Sequence, residues 1–257
     1  MMPSIAEIYA HFERRLPLCD RMPWDNDGLM VCADLSAPVD TVLTAVDVTP
    51  QTIAKAKECG AQLLLTHHPL LFHPAKSITP QGVASRQVIA LLEAGISVLS
   101  YHTRLDAAAG GINDLLAQRL GLDAVRAFGP EGETLGRIGS VKEMPFSAFC
   151  TQVKKVFGTA VLRYVAPRAH VARVAVLGGS GKDFFAAAAA AGADVFLTGE
   201  MSYDAMLDAQ ALGMNAVEAG HFETERVCCA FFEKELRAAF PQLRVIASDL
   251  PAPLCFC

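Results

Sequence analysis

The stretch Thr41-Val-Leu-Thr-Ala-Val-Asp-Val-Thr-Pro-Gln-Thr-Ile-Ala-Lys-Ala-Lys-Glu-Cys-Gly-Ala-Gln-Leu-Leu-Leu-Thr-His-His68 decides the fold. Residues 39–48 are β-rich and almost wholly apolar apart from Asp40, Thr41, Thr44 and Asp47, the pattern of a buried strand. Thr49 then stands as an N-cap with Pro50 at the first helical position, and Gly60 closes a helix over 51–59. Residues 62–66 form a second apolar strand that runs into His67-His68-Pro69. Working outward, a helix is expected over 81–94, a strand over 96–101, a loop over 102–111 and a helix over 112–120. Upstream, Ser4 with Glu7 forms a capping box that opens an amphipathic helix, and residues 21–28 are dense in turn formers. Strands alternating with helices argue for an α/β fold with a mostly parallel sheet.

The pattern then restarts. A helix over 146–157 precedes a strand over 171–177, the turn Gly178-Gly-Ser-Gly181, a helix capped by Asp183 and ended by Gly192, and a strand over 194–198. Shifted by 132 places, Val42 falls on Val174, Gly60-Ala61 on Gly192-Ala193 and Thr66 on Thr198. Two similar α/β units related by internal duplication are the expectation. A border falls at Phe128-Gly-Pro-Glu-Gly-Glu-Thr134, with one domain made of 1–127 and 216–257 and an inserted one of 128–215.

The chain has 257 residues, 52% apolar and 19% charged, enough to bury a core. Its 22 basic and 27 acidic residues give a net charge of −5, which argues against a duplex-DNA or anionic-membrane surface. No apolar run reaches membrane-span length, and the charged N-terminal stretch does not read as a signal peptide. The eight cysteines contain no C-x-x-C pair, and a cytoplasmic location with reduced thiols is expected. Cys255 and Cys257 could bind a soft metal, but most of the cysteines read as buried small hydrophobes.

The candidate chemistry sits at strand ends, where parallel sheets place their ligand sites. His67-His68 follows one strand, His102-x-x-x-Asp106 another, and His221-x-x-x-Glu225 a third position of the same kind. An imidazole and a carboxylate at i, i+4 on a helical turn make a chelating edge for a divalent ion. Four histidines and two carboxylates exceed the needs of one zinc ion and suit two cations bridged by a carboxylate. Zinc, iron, manganese, nickel and cobalt all fit this donor chemistry. Blander readings stand beside it: His67-His68-Pro69 as a turn, Asp106 as a helix cap, Trp24-Asp-Asn-Asp-Gly28 as an Asx-turn. Gly178-Gly-Ser-Gly181 reads as a tight turn. The alternative, a phosphate cradle, lacks the Walker lysine and hydroxyl.

Trp24-Asp-Asn-Asp-Gly-Leu29, Leu65-Thr-His-His-Pro-Leu70, Ser100-Tyr-His-Thr-Arg-Leu-Asp106, Gly178-Gly-Ser-Gly181, Leu197-Thr-Gly-Glu200 and Ala219-Gly-His-Phe-Glu-Thr-Glu225 occur in order across nearly the whole chain. This run resembles the YbgI-like family, the GTP cyclohydrolase 1 type 2 homologs or Nif-three-like proteins. The resemblance implies two intertwined three-layer α/β domains, a dinuclear metal centre and a ring-shaped homohexamer. By motif match it implies His68 and Asp106 on one ion, His67 and His221 on the other, and Glu225 as the bridge. His102 and Glu200 are implied beside the centre, in proton transfer. Arg104 stands where the family often has Asn, and Asp204 where some members place a His, so substrate contacts are open to change. The expected activity is hydrolysis of a small anionic or heterocyclic substrate such as a nucleotide or pterin. The alternative is a non-catalytic metal-binding, metallochaperone or regulatory scaffold ring.

Overall fold

A computed structural model describes residues 1–130 and 133–254. Glu131 and Gly132 of the expected border, and the cysteines Cys255 and Cys257, lie outside the described residues. The chain forms two compact units, the first from Met1–Ala108 and Cys228–Pro251, the second built on Ala109–Val227.

The first unit opens with α1 (Ile5–Arg15), whose Ser4–Glu7 capping box is formed in full. Next come β1 (Gly28–Val31), β2 (Thr41–Ala45), α2 (Pro50–Glu58), β3 (Leu63–Thr66), α3 (Val83–Glu93), β4 (Ser97–Ser100) and α4 (Thr103–Ala107). Thr49 caps α2 and Pro50 occupies its first turn, as the sequence predicts. β2, β3 and β4 pair in parallel in that order, with β1 antiparallel outside β4. Every residue of β2, β3 and β4 is buried, which follows from helices covering both faces. On one face Leu43, Leu64 and Val98 pack with Ile53, Ala56, Val88 and Leu91 of α2 and α3. On the other, the fully buried Phe12 lies against Tyr101 and Phe232 at ring separations of 5.3 and 5.9 Å. Truncating such an anchor to alanine costs ~3–5 kcal/mol.

The second unit contains α5 (Ile112–Arg119), β5 (Asp123–Phe128), β6 (Gly136–Pro145), α6 (Phe146–Phe157), β7 (Arg163–Val165), β8 (His170–Ser180), α7 (Phe185–Ala190), β9 (Val195–Glu200), α8 (Tyr203–Ala211), β10 (Asn215–Glu218) and α9 (His221–Glu225). The chain then completes the first unit with α10 (Cys228–Ala239) and β11 (Arg244–Ala247), which pairs in parallel with β2. The second sheet has the order β5-β6-β8-β9-β10-β7.

The duplication is visible in the topology. Each unit contains a helix, a strand, and a parallel strand-helix-strand-helix-strand run, and the first strand returns as an antiparallel neighbour of the last. Gly60 and Gly192, matched by the 132-residue shift, both take positive φ, 69° and 85°. The shift then fails because β3 is separated from α3 by residues 67–82, whereas β9 is followed almost at once by α8.

Several local expectations differ. β5 and β6 pair as antiparallel neighbours, and β10 pairs with β9 and β7. The compact units therefore divide at Ala108 and Val227 rather than at 127/128 and 215/216. The expected loop 102–111 holds the helical turn α4. Phe184, not Asp183, is the N-cap of α7. After His221 the chain forms α9 and then, after a break, α10. No helix among the described residues is long and apolar enough to cross a membrane.

Candidate metal centre

In the first unit, the ends of β3 and β4 carry His67, His68, His102 and Asp106. The chain leaves β3 at Thr66, so neighbouring His67 and His68 are released from strand alternation. His67, His68 and His102 can each offer one ligand atom, and these atoms lie within 4.8 Å of one another. Each ring is fastened through Nδ1: His67 to the Tyr101 carbonyl at 2.9 Å, His68 to Asp47 at 2.7 Å and His102 to Asp25 at 2.8 Å. A carbonyl or carboxylate on Nδ1 selects the tautomer with the proton there and the lone pair on Nε2. That is the support metal-binding histidines commonly have.

Asp106, on α4, brings Oδ1 to 3.8 Å from His67 Nε2. The carboxylate oxygen and the imidazole nitrogen thus face one another within this cluster.

Asp25 anchors this cluster. Its buried carboxylate accepts from His102 Nδ1, from the Thr103 amide at 3.0 Å and from the Thr103 hydroxyl at 2.6 Å. Burial opposes its ionisation, but these hydrogen bonds and the charge of His102 hold its carboxyl down at about 2. Burial likewise disfavours protonated His102. The hydrogen bond to Asp25 and the charges of Asp106 and Asp25 outweigh this and raise its pKa above the ordinary value.

Asp27 accepts the His102 amide at 3.3 Å and pairs with Arg104. Arg104, only 1% exposed, also reaches Glu13 and the Leu16 carbonyl and lies 4.9 Å from the centre of the Tyr101 ring. Thus Trp24-Asp-Asn-Asp-Gly28 is more than a local turn: Asp25 and Asp27 reach across the fold to the segment after β4. The residue that departs from the family pattern, Arg104, helps hold that segment.

In the second unit, α9 puts His221 and Glu225 on one face, His221 Nε2 lying 3.1 Å from Glu225 Oε2. Glu200, exposed at the end of β9, lies 3.5 Å from His221 Nδ1. Thr224 ties α9 to β8 by accepting from the Gly179 amide at 3.2 Å. Gly179 leaves the space that this pair occupies. A Cβ there would stand 2.2 Å from Glu225 Oε1 and 3.2 Å from His221 Nε2, and the backbone has φ +63°. The Gly178–Gly181 segment therefore makes room for a carboxylate and an imidazole, a role that neither the turn nor the phosphate reading contained.

Imidazoles with fixed tautomers and carboxylates at chelating spacing fit divalent transition ions. Asp25 and Asp47 went unread in the sequence as supports of His102 and His68, and the family run around Trp24-Asp25 was the available signal for the first.

Fold and donor chemistry together define a two-sheet α/β protein with histidine and carboxylate groups suited to holding metal ions. The family model Duf34/NIF3 (NGG1p interacting factor 3) matches residues 3–253, and the chain belongs to this family. A Clostridium perfringens protein named GTP cyclohydrolase 1 type 2 homolog is 37% identical over 209 residues, 79% of each chain. The crystal structure of a Bacillus cereus protein related to NIF3 aligns over 100% of both chains, with TM-score 0.90 and 25% identity. Reduced HcgD from Methanocaldococcus jannaschii aligns with TM-score 0.84 and 30% identity, over 96% of this chain and 98% of that one.

Proposed function

We propose that this protein is a hydrolase dependent on two divalent cations, acting on a small anionic or heterocyclic substrate. By the family resemblance, His68 and Asp106 would hold one ion and His67 and His221 the other, with Glu225 available to both. The observation that carries the reading is the pair His67 and His68, each with Nδ1 committed to a carbonyl or carboxylate, grouped with His102 so that one ring nitrogen of each lies within 4.8 Å of the others. Metal identity is open among zinc, iron, manganese, nickel and cobalt. When bound, such a pair polarises a substrate oxygen and lowers the pKa of water towards neutrality.

The chain's own residues supply orientation and proton handling. Asp25 fixes the His102 ring and raises its pKa, which suits His102 to donate a proton near neutral pH. Glu200, beside His221 Nδ1, orients that ring and offers an exposed carboxylate for proton exchange. The name of the C. perfringens relative puts a guanine nucleotide among the substrates to screen. A cytoplasmic homohexameric ring belongs to the same reading and is supported by the family resemblance alone.

The test measures metal content of the purified protein and of His67→Ala/His68→Ala, then screens nucleotides, phosphodiesters and cyclic amides with both. Two ions per chain and metal-dependent turnover lost in the double variant are expected. Bound, exchangeable metal with no turnover of any substrate class would make the protein a metal-binding ring instead.

A further inference from the structure

Two aromatic side chains beside the first histidine cluster are not used by the chemistry above. Trp24, the chain's one tryptophan, is 59% exposed, and Phe72 is half-buried. Their ring centres are 6.1 Å apart with the planes at 55°, so neither is stacked face to face on the other. Both approach His102, at 6.2 and 6.0 Å.

An exposed indole on a loose loop would mean little, but this one is strapped down. The Met22 amide donates to the Thr103 hydroxyl at 3.0 Å, and the Asp25 amide closes a turn onto the Met22 carbonyl at 3.0 Å. On the other side of Trp24, buried Asp25 is fastened to His102 and Thr103. The Asn26 side-chain amide donates to the Leu71 carbonyl, joining the Trp24 turn to the segment that carries Phe72. Both rings are therefore presented on a preorganised frame, at the imidazole to which the mechanism gives a proton. Large aromatics held open beside convergent polar groups are the usual lining of small-molecule sites.

We propose that Trp24 and Phe72 form a stacking platform for the planar heteroaromatic ring of an anionic ligand, the ring lying on the indole and its anionic part turned to the histidine cluster. This deepens the hydrolase reading and rests on it for the place of the anion, but ring recognition itself needs only the aromatic pair. Stacking on an exposed aromatic is tolerant of base identity, because every base has a π-face. The platform therefore selects for a ring rather than for one particular base.

The single tryptophan makes the test direct. The full chain, with and without added manganese, is titrated with GMP, UMP and ribose 5-phosphate while Trp24 emission is followed. Equilibrium dialysis gives affinities for wild type, Trp24→Ala, Trp24→Phe and Phe72→Ala. Saturable quenching by both nucleotides and not by ribose 5-phosphate is expected. Trp24→Ala should weaken GMP binding by about tenfold with ribose 5-phosphate binding and metal content unchanged, Phe72→Ala should weaken it less, and Trp24→Phe should retain most of it. Equal affinity for GMP and ribose 5-phosphate, no saturable quenching by either nucleotide, or GMP binding untouched by Trp24→Ala would each overturn the platform. A protein that keeps its ions and turnover while failing these tests loses the platform alone. Ring-selective quenching in a protein that never retains metal supports the platform and sinks the hydrolase.

Discussion

Asp25 and His102, 77 positions apart in the chain, share a 2.8 Å hydrogen bond that fixes one ring of the histidine trio. Asp25→Ala strands three donors, His102 Nδ1 and the Thr103 amide and hydroxyl, and should cost about 3 kcal/mol of stability. The Asp25 carboxyl sits at about 2, below its ordinary 3.8, so its stabilisation is present above 3.8 and is lost as pH falls towards 2. Urea midpoints at neutral pH and near pH 3 check both points. The wild type should lose more between the two pH values than Asp25→Asn, and equal losses would contradict this account.

Gly179→Ala should leave the sheet intact and damage the His221–Glu225 pair. The new methyl would collide with Glu225 Oε1, and the positive φ adds ~1–2 kcal/mol of backbone strain. Metal affinity, measured by chelator competition, should fall by roughly tenfold or more, with the circular dichroism spectrum unchanged. Undiminished affinity would remove Glu225 and His221 from the ligand set.

Arg104→Met should be among the most destabilising single substitutions in the first unit. It leaves the fully buried Asp27 carboxylate with the His102 amide at 3.3 Å and the distant Arg21 guanidinium at 3.8 Å in place of its close cation, and breaking a buried pair costs about 3–5 kcal/mol. Adding Asp27→Asn to Arg104→Met should recover part of the loss in denaturant titrations. Additive losses would show that the two residues do not act as a pair.

His11 offers a pH dependence away from the histidine cluster. Burial lowers its pKa, with Arg14 and Arg15 adding to the shift and Glu235 opposing it. Its neutral form is favoured by folding, so the stabilisation is present above the unfolded value of 6.5 and is lost as pH falls through the lower folded value. Melting temperature should therefore drop less between pH 7.5 and pH 5.5 in His11→Gln than in the wild type. A steeper drop in the variant would reverse the assigned sign.

Much of the architecture was legible because it is written locally. Ser4 with Glu7, Thr49 with Pro50, and the helix-ending Gly60 and Gly192 are short-range signals, and the structure forms each of them. The candidate donors were legible because each ends or follows a buried strand, where parallel sheets place their ligand sites. What lay hidden depends on distant partners. Nothing near Asp25 announces His102, and nothing near Asp47 announces His68 21 positions later. Turn formers serve strand-to-strand connections and domain linkers alike, and composition does not reveal that β5 and β6 pair.

The return of the chain to its first sheet has a consequence for biosynthesis. Until β11 emerges from the ribosome, fully buried β2 has a bare edge where Arg244–Ala247 will dock. At ~5–20 residues per second, the interval between translating Ala45 and Arg244 is roughly 10–40 s. During that time a nascent chain carries a sticky, half-closed sheet. Translation stopped just short of Arg244 should yield aggregate rather than a slightly shortened protein.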